Sequence, residues 1–250
     1  TKTEGDRYRL ALDFEATNQS YQPDFGIPGI NGAPADVPAD LQLSEPFANS
    51  ETDNRIFSAL GDFKLAEDTR LALRYTHMDS STLSIRNSVF REIAGPPGTF
   101  MRVTAYEPDG ERDIDAISAA LTHVFETGAV THNLFLGAEY YLETAEIPRL
   151  AVPATNNPPI NIYNPVFGLT TAPTGPLTRS LTTQDSESVL LSVQDRIEYG
   201  AFGLVLGLQY IDDTSLYGGA GTLPYSETRV SPKLGVTYAV TPNQTLYASY

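Results

Sequence analysis

The sequence predicts an all-β fold, a segment of an antiparallel transmembrane β-barrel. Three observations carry that reading. Amphipathic segments of strand length repeat along the 250 residues, each apolar on one face and polar on the other. Short and long connections alternate strictly between them, as in a barrel whose one set of turns faces the periplasm and whose other set reaches outside the cell. No run of about 18 apolar residues occurs, which excludes a transmembrane helix.

The first segment, Arg7–Thr17, sets the pattern. Tyr8, Leu10, Leu12, Phe14 and Ala16 share one face, and Arg7, Arg9, Asp13 and Glu15 the other, with Ala11 between them. Less clean alternation follows at Asn54–Phe63. In Arg70–His77, Leu71, Leu73 and Tyr75 oppose Arg70, Ala72, Arg74 and Thr76. Asp115–Phe125 is again less clean. In His132–Glu143, Leu134, Leu136, Ala138, Tyr140 and Leu142 oppose Asn133, Glu139, Tyr141 and Glu143. Ser186–Glu198 is a further, weaker strand. Phe202, Leu204, Leu206, Leu208 and Tyr210 then oppose Gly203, Gly207 and Gln209, and Val230, Leu234, Val236 and Tyr238 oppose Arg229, Lys233 and Thr237. A last strand runs from Gln244 to Tyr250. In the clean strands charge stays off the apolar face, as exposure to lipid demands. Tight turns are expected at Lys64–Thr69, Glu126–Val130 and Thr241–Asn243.

About nine strands result. Single-chain bacterial barrels have an even number, and an open edge in lipid costs several kcal/mol per unpaired backbone group. The chain therefore reads as a slice of a larger barrel, one domain over 1–250, with a start that looks cut. A soluble antiparallel protein also alternates apolar and polar residues. Against it, Tyr8, Tyr75, Tyr140, Tyr199, Tyr210 and Tyr238 recur at strand ends, where interfacial aromatic girdles lie, and the long loops fall on one side.

Composition removes several function classes. With no cysteine, disulfides and thiolate metal sites are impossible. A net charge of −15 opposes nucleic-acid binding, which needs a basic footprint. The mean hydropathy of −0.21 does not separate barrel from soluble protein, because only alternate residues of a barrel strand meet lipid. There is no Gly-x-Ser-x-Gly elbow, phosphate-binding loop or His-Glu-x-x-His, so no catalytic residue is assigned. His77, His123 and His132 lack metal-ligand spacing. Asp212, Asp213, Asp79 and Asp185 read as solvated loop charge rather than a Ca²⁺ site. Interior carboxylates Asp13, Glu15, Glu139 and Glu143 are expected to pair with Arg7, Arg9, Arg70, Arg74 and Lys233 across strands.

Four long connections would be extracellular: Asn18–Asp53, Asp79–Arg112, Ala145–Asp185 and Asp212–Ser226. Their Pro and Gly content, including Gly95-Pro96-Pro97-Gly98 and Asn157-Pro158-Pro159, blocks helix and central strand. Aromatic residues among them line a ligand vestibule or pack the loops together. Tyr106, Tyr163, Phe167, Tyr217 and Tyr225 are the candidate substrate-binding residues.

Two stretches go beyond a generic barrel. Val230–Tyr250 contains Ser-Pro-Lys-Leu-Gly-Val-Thr-Tyr, then Thr-Pro-Asn, then Leu-Tyr-Ala-Ser-Tyr. It resembles the strand–turn–strand of TonB-dependent siderophore receptors. Asn161-Ile-Tyr-Asn-Pro-Val-Phe-Gly168 resembles a loop of the ferrichrome-type members, with Phe167 where Tyr is usual. Glu139-Tyr140 after Leu136-Gly137, and Gln194-Asp195, are similar to further barrel signatures, whereas Gln209 stands where many members have Arg. The resemblance implies a barrel of about twenty-two strands around an N-terminal plug absent from this chain. It implies an outer-membrane location and TonB-dependent import of a ferric siderophore of hydroxamate, ferrichrome-like type, with no cofactor bound directly and no metal held by protein side chains. TonB would engage the missing plug. Expected partners are thus the siderophore, TonB and outer-membrane lipid, with no nucleic acid. A passive channel, or an importer of cobalamin or an oligosaccharide, remains the alternative.

Overall fold

The computed structural model of the chain describes residues 1–152, 157–172, 177–219 and 222–249. Its strands are β1 (Lys2–Gly5), β2 (Tyr8–Tyr21), β3 (Gly29–Ile30), β4 (Ala33–Pro34), β5 (Asn49–Ala66), β6 (Thr69–Glu92), β7 (Thr99–Thr127), β8 (Val130–Ala151), β9 (Ile160–Asn161), β10 (Thr178–Tyr199), β11 (Phe202–Gly218), β12 (Tyr225–Thr241) and β13 (Gln244–Ser249). An 11-stranded antiparallel sheet runs β1-β2-β5-β6-β7-β8-β10-β11-β12-β13, with β9 pairing β7 beside that path.

All the strands expected from alternation are present, and the edge strand β1 adds to them. Every lower connection is a two-residue turn, such as Glu67-Asp68 or Gly128-Ala129. Gly128 (φ 66°) and Gly200 (φ 56°) supply the left-handed backbone that two of these turns need. The last strand is described through Ser249, and Tyr250 lies outside the described residues.

Register carries the amphipathic pattern across the sheet. One row reads Leu10, Gly61, Leu73, Ala119, Ala138, Leu191, Tyr210 and Val230. The row one residue along, on the opposite face, reads Arg9, Asp62, Ala72, Ala120, Gly137, Ser192, Gln209 and Ser231. Apolar side chains on the first face stay open to the surroundings, with Phe14 69%, Leu12 51% and Ile117 55% exposed. A soluble sheet would cover such a continuous apolar surface.

The upper connections differ from the sequence expectation. Asp79–Arg112, expected as a loop, is mostly a paired ribbon of β6 and β7 that turns only near the Gly95–Gly98 run. Cross-strand pairing overrides the local Pro/Gly signal here, because Pro108 falls at a bulge where the ladder needs no donor. That bulge lies between Tyr106 and Glu111 in the pairing with β8, and Asp109 sits in it with φ 52°. It shifts β7's alternation by one residue. Above it, Phe100, Arg102 and Thr104 share one face, while Val103, Ala105 and Glu107 continue the polar face.

The buried core is in the cap formed by these connections. Ala35, Leu43, Phe100, Ile160 and Ile162 cluster there, with Ile27, Ile30, Val37, Leu41 and Val89 packed against them. The β2–β5 connection enters this cap through the β3–β4 hairpin, closed by Asn31 (φ 52°) and Gly32 (φ 80°) in the Asn-Gly pairing that a two-residue hairpin favours.

Candidate functional site: the upper rim of the polar face

A buried polar knot fastens the cap to the sheet. The side chains of Arg102 on β7 and Glu45 in the β2–β5 connection are both 0% exposed, and Arg102 Nη1 donates to Glu45 Oε1 at 2.5 Å. Glu45 Oε2 accepts the Gly168 N–H at 2.8 Å, and Arg102 Nε donates to Pro158 O at 3.0 Å. Beside it, Asn87 Nδ2 donates to Thr104 Oγ1 at 2.8 Å, and Thr104 Oγ1 donates to Asn157 Oδ1 at 2.5 Å. Two connections far apart in sequence are thereby tied to one ribbon through fully desolvated groups, whose bonds strengthen in a low-dielectric interior.

The polar face carries a second charge cluster. Glu107, placed there by the bulge, accepts from Arg86 Nη2 on β6 and forms an ion pair with Arg149 on β8, its Oε1 3.1 Å from Arg149 Nε. The Glu107 side chain is 14% exposed, against 36% for Arg86 and 53% for Arg149. These residues line a cavity of about 510 Å³ with Phe25, Tyr106 and Ser180. On the same face, Glu143 accepts from Tyr141 Oη at 2.7 Å and Gln184 Nε2 at 3.0 Å and forms an ion pair with Arg112, whose Nη1 stands 3.2 Å away. Glu143 was expected to pair with a basic residue lower in the sheet. Arg112 takes that place because it lies on the adjacent strand near Glu143, whereas Lys233 is on β12 and donates to Gln194 at 3.2 Å.

The aromatic residues singled out from the sequence divide into two groups. Tyr106 lines the rim cavity. Tyr163 and Phe167 lie in the cap segment after β9, 51% and 38% exposed. Asn161 shapes that segment, with Nδ2 donating to Pro97 O at 2.9 Å and Oδ1 accepting the Tyr163 N–H at 3.0 Å. Tyr217 and Tyr225 belong to the β11–β12 hairpin. Alternation puts both on the polar face, since Tyr225 pairs with Ser215 and Tyr217 is two residues further along. Tyr225 Oη donates to Glu227 at 2.8 Å, and this carboxylate holds the phenol above its ordinary pKa. β8 and β10 stand between the ribbon and this hairpin, so the five tyrosine and phenylalanine residues do not form one cluster. The arginines and Glu107 escaped the sequence reading. The signal for them was Glu107-Pro108-Asp109-Gly110, a turn-like run inside a strand.

The apolar face ends upward in paired polar groups. Tyr75 Oη donates to Asp115 at 2.6 Å, Tyr140 Oη to Glu187 at 3.1 Å, and Tyr210 Oη to Asp212 at 3.3 Å. An amphipathic ring anchored this way suits a water–lipid boundary. Asp212 and its neighbour Asp213 fall on opposite faces and cannot share a cation. Near the lower end, β10 breaks its apolar row with Asp195. Its Oδ2 accepts from His132 Nδ1 at 2.7 Å, and Phe125 stacks on His132 with ring centroids 4.6 Å apart.

Comparison with known proteins places this architecture. Residues 1–250 match the family described as TonB dependent receptor-like, beta-barrel. Among solved structures, the ferric-catecholate import receptor Fiu of E. coli K12 superposes with a TM-score of 0.79 at 18% identity, over 97% of this chain and 40% of its own. BauA, the ferric preacinetobactin receptor of Acinetobacter baumannii, gives 0.80 at 18% identity over 99% and 38%. Pseudomonas aeruginosa FpvA, solved with heterologous pyoverdines, gives 0.79 at 14% identity over 99% and 33%. The chain thus spans 33–40% of these receptors. A search of curated proteins finds no match. The apolar face is the lipid-facing wall of a partial barrel and the polar face its lumen, and the chain belongs to the TonB-dependent receptor β-barrel family.

Proposed function

We propose that the protein is a Gram-negative outer-membrane receptor that imports ferric siderophores in a TonB-dependent manner. One observation carries this reading most directly. The upper end of the lumenal wall bears a built cavity with charged donors and aromatic neighbours, on a ribbon whose other face is fastened to the cap by buried bonds. The neighbours in fold act on ferric chelates by their own descriptions, ferric catecholate and ferric preacinetobactin among them. Transport energised by TonB would pass through a plug within the lumen. The protein itself binds no cofactor in this reading: iron travels wrapped in its chelator. The chemistry of the rim is recognition rather than catalysis, so the protein is no enzyme.

The resemblance of Asn161–Gly168 to ferrichrome-type members points to hydroxamate cargo. Tyr163 and Phe167 are exposed in the cap and available to a ligand from outside. Replacing both with Ala in the full-length receptor is expected to weaken siderophore binding, and unchanged affinity in a titration would remove them from the site. The function itself is tested by uptake of radiolabelled ferric siderophores into a Gram-negative host, with and without TonB. TonB-dependent uptake is the expected result. Ion conductance by the full-length protein in planar bilayers, with no such uptake, would identify a passive channel. An outer-membrane protein with neither activity would send the search to other cargo, such as cobalamin or an oligosaccharide.

A further inference from the structure

The chain is acidic overall, with a net charge of −15, yet register sorts its charges by face. On β6, β7, β8 and β10 the carboxylates Asp79, Asp113, Asp115, Glu146 and Glu187 fall on the lipid-facing side of the alternation. Around the rim cavity and just below it, the lumenal side of these strands carries Arg86, Arg112 and Arg149 against Glu107 and Glu143. On these four strands three cations stand against two anions, so this stretch of the wall is locally positive, whereas Asp213 and Glu227 add negative charge further along the lumenal face on β11 and β12. A positive patch attracts and orients anions.

The geometry is that of a clamp. A single oxygen, Glu107 Oε1, accepts from Arg86 Nη2 and stands in an ion pair 3.1 Å from Arg149 Nε, which draws two guanidiniums to one carboxylate while neutralising only one of them. Each guanidinium has five N–H donors in a fixed fork. The Arg86 and Arg149 side chains stay 36% and 53% exposed, so donor capacity is left over at the cavity wall. Forked donors of this kind match oxygens arranged in pairs, as in carboxylates and catecholates. The bulge at Asp109 makes the arrangement possible: without it residue 107 would face away from both arginines.

We propose that Arg86, Arg149 and Glu107 form a cargo-selecting anion clamp, which takes ferric chelates of net negative charge through catecholate or carboxylate oxygens and disfavours neutral ones. The inference rests on the reading of the protein as a ferric-siderophore importer. It narrows that reading against the hydroxamate expectation. Three hydroxamates neutralise ferric iron, so a ferrichrome-type complex brings no charge to the clamp, whereas a tris-catecholate brings three negative charges.

The test uses the full-length receptor in detergent, titrated calorimetrically with ferric enterobactin, a tris-catecholate, and with ferrichrome, a neutral trihydroxamate. The wild type is expected to bind the anionic chelate at least about tenfold more tightly. In Arg86→Gln/Arg149→Gln that preference should vanish, with ferrichrome affinity moving less than about threefold. The affinity of the wild type for ferric enterobactin should also fall as salt rises, while that for ferrichrome stays flat. This salt series needs no variant and stands if the double substitution fails to fold. Equal or tighter binding of ferrichrome by the wild type, or a preference that survives in the folded double variant, would overturn the clamp and leave the importer intact. Binding of neither chelate, together with no TonB-dependent uptake of any ferric siderophore, would overturn the importer reading and the clamp with it.

Discussion

Removing the carboxylate of Glu45 isolates the energetics of the cap. In Glu45→Ala the Arg102 guanidinium stays fully buried, keeps Pro158 O as an acceptor, and loses its counter-charge. Its Nη2 already has no partner. Gly168 N–H loses its acceptor in the same step. Breaking a buried pair by deleting one partner costs about 3–5 kcal/mol. The barrel wall holds itself through its own ladder, so the loss should fall on local opening of the cap rather than on global unfolding. At about 1.4 kcal/mol per decade, amide exchange protection in residues 22–48 and 157–170 should drop by roughly two to four decades, limited by the protection the wild type has to lose. Strands β8 to β11 should change little below the rim. Hydrogen exchange with mass spectrometry on the full-length receptor reads both regions at once. The double variant Glu45→Leu/Arg102→Met removes both charges and should recover most of the protection. A residual cost of about 1–3 kcal/mol would persist from the orphaned Gly168 N–H. Unchanged protection in Glu45→Ala, or a double variant worse than the single one, would refute the idea that this ion pair holds the cap.

Other positions give sharper local tests. Asp195→Ala leaves the His132 Nδ1–H facing lipid without its acceptor and should cost about 1–3 kcal/mol in a urea titration of the reconstituted barrel. Replacing both residues with Leu should be neutral or stabilising. Gly98 has φ 77°, and a Cβ there would stand 2.5 Å from Tyr163 Cε2. Gly98→Ala should therefore cost about 1–3 kcal/mol of cap stability and displace Tyr163, visible as raised exchange in residues 157–168. Glu67→Gln at the lower β5–β6 turn breaks a 2.7 Å contact with Lys64, but Glu67 is 84% exposed. The urea midpoint should stay put, since exposed pairs contribute little.

The barrel wall was legible because its physics is periodic. Leu71, Leu73 and Tyr75 need only an alternation of two to declare a face, and register then repeats the same decision on each neighbouring strand. The upper half was less legible for a reason visible at Pro108 and Pro96-Pro97. Proline and glycine forbid the regular ladder at single positions, yet pairing on either side of them continues, so a ribbon reads locally as a loop. The candidate site was harder still. Arg86, Glu107 and Arg149 come from three strands and meet only after a shift of one residue in β7, which no period in the sequence encodes. The pairing of Asp195 with His132 is hidden in the sequence for a similar reason, since His132 lies on β8 and only pairing of β8 with β10 brings them together. Tyr106 stands by the cavity for a reason the sequence does not show, since its expected loop is part of strand β7.

The bulge at Asp109 also bears on how this sequence can vary over generations. Surface connections ordinarily absorb gained or lost codons at little cost. Here a one-codon deletion between Glu107 and Gly110 would remove no residue of the clamp or the cap core, yet it would turn Glu107 away from Arg86 and Arg149. It would instead exchange the phase of everything above it on β7, turning Arg102 and Thr104 out of the cap and Phe100 away from Ile160. Divergence along this ribbon should therefore proceed by substitution at constant length, while the neighbouring connections remain free to grow and shrink.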